Sequence, residues 1–239
     1  MAVHQTRLVR RETVAERTMA FYLERPAGFS HLAGQDALFS VLEPLDIDGF
    51  GMSRTFSFAS APHEGELMIA TRMRDTAFKR ALETAPLGLR IGLEGPNGSM
   101  LLEEPDRAAV LIAGGIGVTP FLSIARHAAQ ARLPHRIHLF YSNRRPEDAP
   151  FLDELRALER ANPSFRMTAT MTQMHNSRLP WQGETGAVSE ALLRRHLPDL
   201  KAPVYYLAGP PGMAMGMQFL LERLGIPDRD VRGEEFYGY

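Results

Sequence analysis

The sequence contains no cysteine. This absence excludes disulfides, cysteine-ligated iron–sulfur clusters, cysteine-based zinc sites and thiolate catalysis from the chain. Nor is there an apolar run that approaches the roughly 20 residues of a transmembrane helix. The first eleven residues lack the apolar core of a signal peptide. We therefore expect no transmembrane segment and a cytoplasmic location.

An excess of charge is also missing, because the formal net charge is −1. Such a balance predicts affinity for neither nucleic acid nor a membrane surface. The histidines form no HExxH motif and no convincing ligand cluster, so we expect no metal site. The sequence contains neither a Walker A nor a GxSxG motif.

What is present divides the 239 residues into two halves. Residues 1–104 carry short apolar runs separated by glycine and proline, which is typical of an antiparallel barrel. The candidate strands are residues 6–23, 37–42, 67–71 and 89–93. One helix is predicted over residues 76–85, where Pro86 stops it.

Residues 105–239 alternate apolar strands with amphipathic helices, a pattern that predicts a parallel sheet with helical cover. The candidate strands are residues 109–113, 137–141, 165–171 and 204–208, and the helices 121–130, 151–160, 189–196 and 213–224. The polar stretch 103–106 suits a linker. The fold prediction is a β-barrel domain, 1–104, followed by a parallel α/β domain, 105–239.

The most informative segment is Gly114-Gly115-Ile116-Gly117-Val118-Thr119-Pro120, which follows the apolar run 109–113. Strand, glycine turn and helix start together form a place where free backbone N–H groups can hold a pyrophosphate. Thr119 is a candidate N-cap and Pro120 a candidate first helical residue. Taken alone, the glycines are equally compatible with a tight turn.

A second glycine turn, Ala208-Gly209-Pro210-Pro211-Gly212-Met213, follows the strand 204–208. Ligands of open α/β sheets bind at the carboxyl ends of the strands. Two such turns in one small sheet favour a dinucleotide crevice over packing alone.

The first half contains Arg54-Thr55-Phe56-Ser57-Phe58-Ala59-Ser60. In an extended segment Arg54, Phe56 and Phe58 point one way, while Thr55 and Ser57 point the other. Arginine can pair with a phosphate, an aromatic ring can stack on a planar ring system, and a serine hydroxyl can hydrogen-bond. The residues alone slightly favour a plain strand with two core phenylalanines and a surface arginine.

The ordered set of motifs resembles the ferredoxin–NADP⁺ reductase family along almost the whole chain. Residues 54–60 resemble that family's Arg-x-Tyr-Ser flavin motif, residues 32–35 its Pro-Gly-Gln turn, and residues 95–98 its Gly-Pro-x-Gly segment. The two glycine turns are similar to its nicotinamide-nucleotide turns, and residues 234–236 to its Glu-x-Phe ending.

The resemblance implies FAD bound non-covalently to the barrel and NAD(P)H bound to the α/β domain. It implies that Arg54 holds the flavin nucleotide's phosphate, that Phe56 lies against the flavin, and that Ser57 hydrogen-bonds its reactive edge. Thr76 matches a family serine that faces the pyrophosphate from a helix start. Its alternative is a helix cap without a ligand.

Three departures limit the resemblance: Phe56 replaces tyrosine, Ala208 replaces a cysteine beside the nicotinamide, and the chain continues past Phe236. We predict that Phe236 covers the exposed flavin face; the alternative is a tail that packs between the domains. Ser142, Arg144 and Arg145 could hold a 2′-phosphate, or belong to a solvated loop paired with Glu147 and Asp148. NADH is slightly favoured over NADPH, which a comparison of kcat/KM would test.

The predicted function is that of an FAD-dependent NAD(P)H oxidoreductase that passes electrons to a separate ferredoxin, oxygenase component, haem protein or small molecule. The expected site residues are catalytic Ser57 and Phe236, with these for cofactor binding: Arg54, Thr55, Phe56, Ser57, Thr76, Gly114, Gly115, Gly117, Thr119, Pro120, Ser142, Arg144, Gly209, Pro210, Met213 and Phe236. A free flavin or ferric reductase is the alternative enzyme. A non-catalytic nucleotide-binding subunit is the alternative of another class.

Overall fold

The computed structural model describes residues 3–43, 48–49, 51–102 and 105–235. The first half forms an antiparallel six-stranded sheet in the order β4-β3-β6-β1-β2-β5. Its strands are β1 (Val3–Ala15), β2 (Thr18–Glu24), β3 (Asp36–Val41), β4 (Ser53–Ser57), β5 (Glu66–Arg72) and β6 (Arg90–Asn97), and its helix is α1 (Ala77–Thr84).

The sheet curls until its edges meet just beyond β4, where Ala59 N donates to Met68 O at 2.7 Å. Apolar side chains of alternate strand positions fill the interior, including Phe21, Phe39 and Phe58, and Phe78 of α1 joins them. The predicted barrel is therefore confirmed.

The first predicted strand, residues 6–23, is in fact a hairpin. β1 and β2 pair antiparallel and turn at residues 16 and 17. The break is not predictable from the residue types, because the turn contains no glycine, proline or asparagine. Arg17 instead adopts the left-handed conformation, with φ 55°, which non-glycine residues seldom do.

The second half forms a parallel six-stranded sheet in the order β10-β9-β8-β7-β11-β12. Its strands are β7 (Ala109–Gly114), β8 (Ile137–Asn143), β9 (Phe165–Met171), β10 (Glu184–Thr185), β11 (Val204–Gly209) and β12 (Val231–Glu235). Its helices are α2 (Thr119–Ala131), α3 (Leu152–Ala161), α4 (Glu190–His196) and α5 (Pro211–Arg223). All four predicted strands and all four predicted helices are confirmed.

The sequence did not predict the edge strands β10 and β12. β10 has only two residues, and β12 carries the polar sequence Val-Arg-Gly-Glu-Glu. Neither has the apolar run by which the central strands were found, because an edge strand is covered less than a central one.

Helix α2 joins the two halves. Ser123 Oγ donates to Ser60 O at 2.7 Å, and Arg126 donates to Ala59 O at 3.2 Å. Apolar side chains of both halves share one core around this helix. The backbone just beyond β4 is thereby fixed against the helix that follows the first glycine turn. The boundary predicted between residues 104 and 105 stays a proposal, because residues 103–104 lie outside the described chain.

Candidate functional site

A cleft of about 830 Å³ opens between the two halves. One wall consists of the glycine turns and the carboxyl end of β8; the other consists of the β1–β2 turn and the segment between β5 and α1. The predicted site residues among its lining are Gly114, Gly115, Ser142, Arg144, Pro210 and Met213. The cleft thus lies where open α/β sheets bind their ligands.

The first glycine turn is a 3₁₀ turn over Gly115–Val118 that leads directly into α2. The prediction that Thr119 is the N-cap is wrong. Thr119 is already helical, with φ −55° and ψ −50°, and Val118 precedes the helix in its place. The buried Thr119 hydroxyl donates to Ile116 O at 3.1 Å. Pro120 is consequently the second helical residue and not the first, although it still lies in the first turn.

Gly117 and Gly209 lie where two backbone segments pack closely against each other. A Cβ on Gly117 would lie 2.3 Å from Ala208 O, and one on Gly209 would lie 3.0 Å from Gly114 N. The first distance is too short for any Cβ, and the second is tighter than nearly all Cβ contacts, so these glycines let the two turns approach each other. Gly115 differs, because it has φ +54° and open space around its Cα. Its backbone is therefore accessible from the cleft.

Ser142 lies on β8, where it pairs with Gly114, the last residue of β7. In this loop Arg145 makes the predicted pairing with an acidic neighbour, because its Nε donates to Asp148 at 2.7 Å. Within the described residues, the Arg144 side chain makes no hydrogen bond or ion pair. Arg144 is therefore a cation available to a ligand in the cleft.

Asn143, which the sequence analysis missed, also lines the cleft. Its side chain is buried, yet neither amide atom has a hydrogen-bond partner among the described residues. Buried polar groups are rarely left unsatisfied without a reason. The position at the carboxyl end of β8, beside the predicted Ser142, was the signal that could have identified it.

Ser57 lies at the end of β4, and its hydroxyl is buried and unsatisfied, like the Asn143 amide. The residue is 2% exposed, and its Oγ has no partner in the part of the chain that the structure describes. An unsatisfied buried hydroxyl costs free energy unless a bound group supplies the missing hydrogen bond. The position therefore fits a polar ligand atom.

Phe56 and Thr55 precede Ser57 on β4. The Phe56 ring packs against Phe39 and Phe78, at centroid distances of 5.9 and 5.7 Å, and is partly exposed. Thr55 is exposed. Phe56 is thus anchored in the barrel core and keeps some free surface for a planar ligand.

The start of α1 collects hydrogen-bond donors and cations. Thr76 is the predicted N-cap, with its Oγ1 accepting from Lys79 N at 3.4 Å, and Asp48 accepts from Ala77 N. The Arg54 guanidinium lies 5.8 Å from the Phe78 ring centroid. The helix dipole and the Arg54 charge both favour an anion here, and the Asp48 carboxylate supplies one at Ala77 N.

Lys79 is a further cation that the sequence analysis missed. It is 8% exposed, and its Nζ donates to Arg72 O at 2.7 Å. Burial, together with the positive charges of Arg74 and Arg54, lowers the pKa of Lys79 to about 8. Its spacing of three residues from Thr76 was the available signal, since it places Lys79 in the first turn of α1. Lys79, Arg54 and Arg74 thus bring three positive charges close together, which suits a phosphate.

Phe236 lies outside the described residues, so its predicted role stays a prediction. Within residues 3–43, 48–49, 51–102 and 105–235, no group of three or more metal-ligating side chains is present. No helix of this described part is long and apolar enough to cross a membrane.

Comparisons with known proteins agree with this geometry. Residues 111–218 match the family model of the oxidoreductase NAD-binding domain. The chain is 30% identical to the propane 2-monooxygenase reductase component of Rhodococcus jostii, over 97% of this chain and 63% of that protein. It is 28% identical to the glycine betaine monooxygenase reductase subunit of Chromohalobacter salexigens, over 98% of this chain and 64% of that protein. The chain therefore spans less than two thirds of these relatives.

The fold is shared with solved structures along nearly the whole chain. The flavohem-like FAD/NAD-binding domain of nitric oxide dioxygenase from Vibrio cholerae superposes with a TM-score of 0.82 at 20% identity, covering 97% of this chain and 98% of that chain. A ferredoxin–NADP⁺ reductase from Neisseria gonorrhoeae gives 0.79 at 20% identity, covering 98% and 97%.

A curled antiparallel sheet joined to a parallel α/β sheet, with a glycine-walled cleft between them, defines a two-part oxidoreductase fold. More particularly, the fold is that of the ferredoxin–NADP⁺ reductase structure, and residues 111–218 match the oxidoreductase NAD-binding domain.

Proposed function

We propose that the protein is an FAD-dependent NAD(P)H oxidoreductase that delivers electrons to a separate acceptor protein. The observation that carries this proposal is the buried, unsatisfied Ser57 hydroxyl at the end of a strand whose other residues, Arg54 and Phe56, suit a phosphate and a planar ring. The names of the two oxygenase-reductase relatives support an oxygenase component as the acceptor. A cytoplasmic location stays a prediction, which cell fractionation would test.

Bound flavin supplies the chemistry, because it accepts a hydride and can release the electrons singly. The chain's own contribution is placement. Arg54, Lys79 and the start of α1 hold phosphate, and Ser57 hydrogen-bonds the ring system. The glycine turns line the cleft and admit the nicotinamide nucleotide there. Positioning of two reactants in this way removes much of the entropic barrier to their reaction.

The positions of these groups are linked mechanically. Arg126 binds both carboxylate oxygens of Glu154 in α3, at 2.6 and 2.9 Å, and also donates to Ala59 O. Because Ala59 follows Ser57 by two residues and Arg126 lies on the helix after Gly117, this arginine fixes the two binding segments relative to each other.

Anaerobic reduction of the purified protein tests the proposal. We expect the protein to contain FAD in equal molar amount, and NADH or NADPH to bleach the visible absorbance of the oxidised flavin. Colourless protein that reduces added flavin would instead identify a free flavin reductase. Bound flavin that neither nucleotide bleaches would identify a non-catalytic nucleotide-binding subunit and contradict the proposal.

The affinity for FAD is expected to depend on pH through Lys79. In the deflavinated protein its pKa is lowered to about 8, so above that pH the amine is mostly neutral. Binding of a phosphate favours the charged form, and therefore takes up a proton. The affinity should then fall as the pH rises above about 8, by up to roughly tenfold per pH unit for one proton.

Fluorescence titration of deflavinated protein with FAD between pH 7 and 10 would measure this dependence. Lys79→Met should weaken binding at pH 7 and flatten the profile. Lys201→Met is the matched control, since Lys201 is exposed and does not line the cleft. An unchanged profile in Lys79→Met would remove Lys79 from the phosphate site.

A further inference from the structure

Three arginines that face the cleft have no side-chain partner among the described residues. Arg17, Arg74 and Arg144 all line it, and no hydrogen bond or ion pair of their side chains is found within the described ranges. Arg72 and Arg145, by contrast, both reach Asp148, at 3.5 and 2.7 Å. The cleft therefore holds more positive charge than its own carboxylates neutralise.

Arg17 is the unusual member of this set, because it belongs to the barrel half. It lies in the β1–β2 turn and has φ 55°, a conformation that glycine or asparagine adopts at lower cost. Strained residues persist where the surrounding structure holds them and often mark functional sites. Since the Arg17 side chain has no partner in the described part of the protein, nothing there accounts for arginine at this position.

Contacts on both sides hold the turn in place. Met73 N donates to Arg17 O at 2.7 Å, and Glu16 N donates to Glu147 O at 2.8 Å. The Glu16 carboxylate also forms ion pairs with Arg145 at 3.3 Å and with Arg178 at 3.0 Å. The turn of the barrel half is thus docked on the loop that follows Arg144, with Arg17 and Arg144 on opposite walls of one cleft.

We propose that Arg17 binds a phosphate of the nicotinamide dinucleotide, so that the bound dinucleotide bridges the two halves of the protein. This inference rests on the proposed function and adds to it a specificity residue from the half that binds flavin. Guanidinium–phosphate pairs are charge-assisted and often bidentate. The phosphate is either the pyrophosphate, which NADH and NADPH share, or the 2′-phosphate of NADPH.

The experiment compares three variants of the flavin-loaded protein. Arg17→Gln removes the charge, and Arg17→Gly removes the side chain while it relieves the left-handed backbone. Arg132→Gln is the matched control: Arg132 also has a positive φ, 49°, but it follows α2 and does not line the cleft. Dissociation constants for NAD⁺ and NADP⁺ are measured by calorimetry, with flavin content and the thermal midpoint recorded for each variant.

We expect both Arg17 variants to bind the dinucleotide about tenfold more weakly, as for the loss of one charge-assisted hydrogen bond, with flavin content unchanged. The thermal midpoint of Arg17→Gly should equal or exceed that of the parent protein. Weaker binding of both NAD⁺ and NADP⁺ assigns Arg17 to the pyrophosphate. Weaker binding of NADP⁺ alone assigns it to the 2′-phosphate.

Two results would overturn the inference: unchanged affinity for both nucleotides, or a loss of flavin in place of nucleotide affinity. Failure of the proposed function is distinguishable from either, because the unsubstituted protein would then bind neither NAD⁺ nor NADP⁺ and neither reduced nucleotide would bleach its flavin.

Discussion

Ser57→Ala is expected to slow the reduction of bound flavin by NAD(P)H by about 100-fold. The hydroxyl is buried and has no partner among the described residues, so under the proposed function its hydrogen bond is made to the flavin. Removal of one preorganised hydrogen bond at a reacting centre costs roughly 10²–10³ in rate. Anaerobic stopped-flow absorbance at saturating nucleotide measures the step directly.

The same substitution should stabilise the protein once flavin has been removed. An unsatisfied buried hydroxyl costs about 1–3 kcal/mol, and alanine eliminates that cost. Ser123→Ala is the matched control, since its buried hydroxyl donates to Ser60 O and its loss should destabilise the deflavinated protein by about 1 kcal/mol. If both variants were destabilised alike and flavin reduction kept its rate, Ser57 would have no role at the flavin.

Much of the fold could be predicted, because the signals were local. The apolar runs of β7, β8, β9 and β11 are buried on both faces of a parallel sheet, and such strands appear in sequence as continuous hydrophobic segments. The capping of α1 by Thr76 was equally local. The structure confirms both.

The missed features depended on residues distant in sequence. Arg17 turns the chain in a conformation that its residue type disfavours, and contacts with Met73 and Glu147 hold the turn in place. Lys79 is buried because α1 packs on the barrel, next to Arg72. The spacing from Thr76 placed Lys79 in the first turn of α1, but composition and spacing carry no trace of the long-range contacts that bury Lys79 and hold Arg17.

The glycine turn shows the same limit within one motif. Its sequence indicated a backbone site for a nucleotide, and Gly114 and Gly115 do line the cleft. The sequence could not separate them from Gly117, whose role is set by the distance to β11. Nor could it show that a 3₁₀ turn precedes α2, so that Thr119 is already the first helical residue.

Gly117→Ala is therefore expected to destabilise the protein by about 3 kcal/mol or more. The new Cβ would lie 2.3 Å from Ala208 O and 2.7 Å from Gly209 Cα. Both are backbone atoms of the last two residues of the central strand β11, which cannot move aside as a flexible side chain could. Overpacking against such atoms costs about 1–3 kcal/mol and occasionally more. Urea unfolding, followed by circular dichroism, measures the change.

Two neighbouring glycines supply the controls. Gly115→Ala meets no atom within 4 Å, but its φ of +54° penalises a side chain, so about 1–2 kcal/mol is expected. Gly212→Ala, in the first turn of α5, also meets open space and should be neutral or stabilising by up to about 1 kcal/mol. We expect the destabilisation to decrease in the order Gly117→Ala, Gly115→Ala, Gly212→Ala. Any other order would mean that the turn relaxes around a Cβ. Its glycines would then be required by the ligand and not by the packing of α2 on β11.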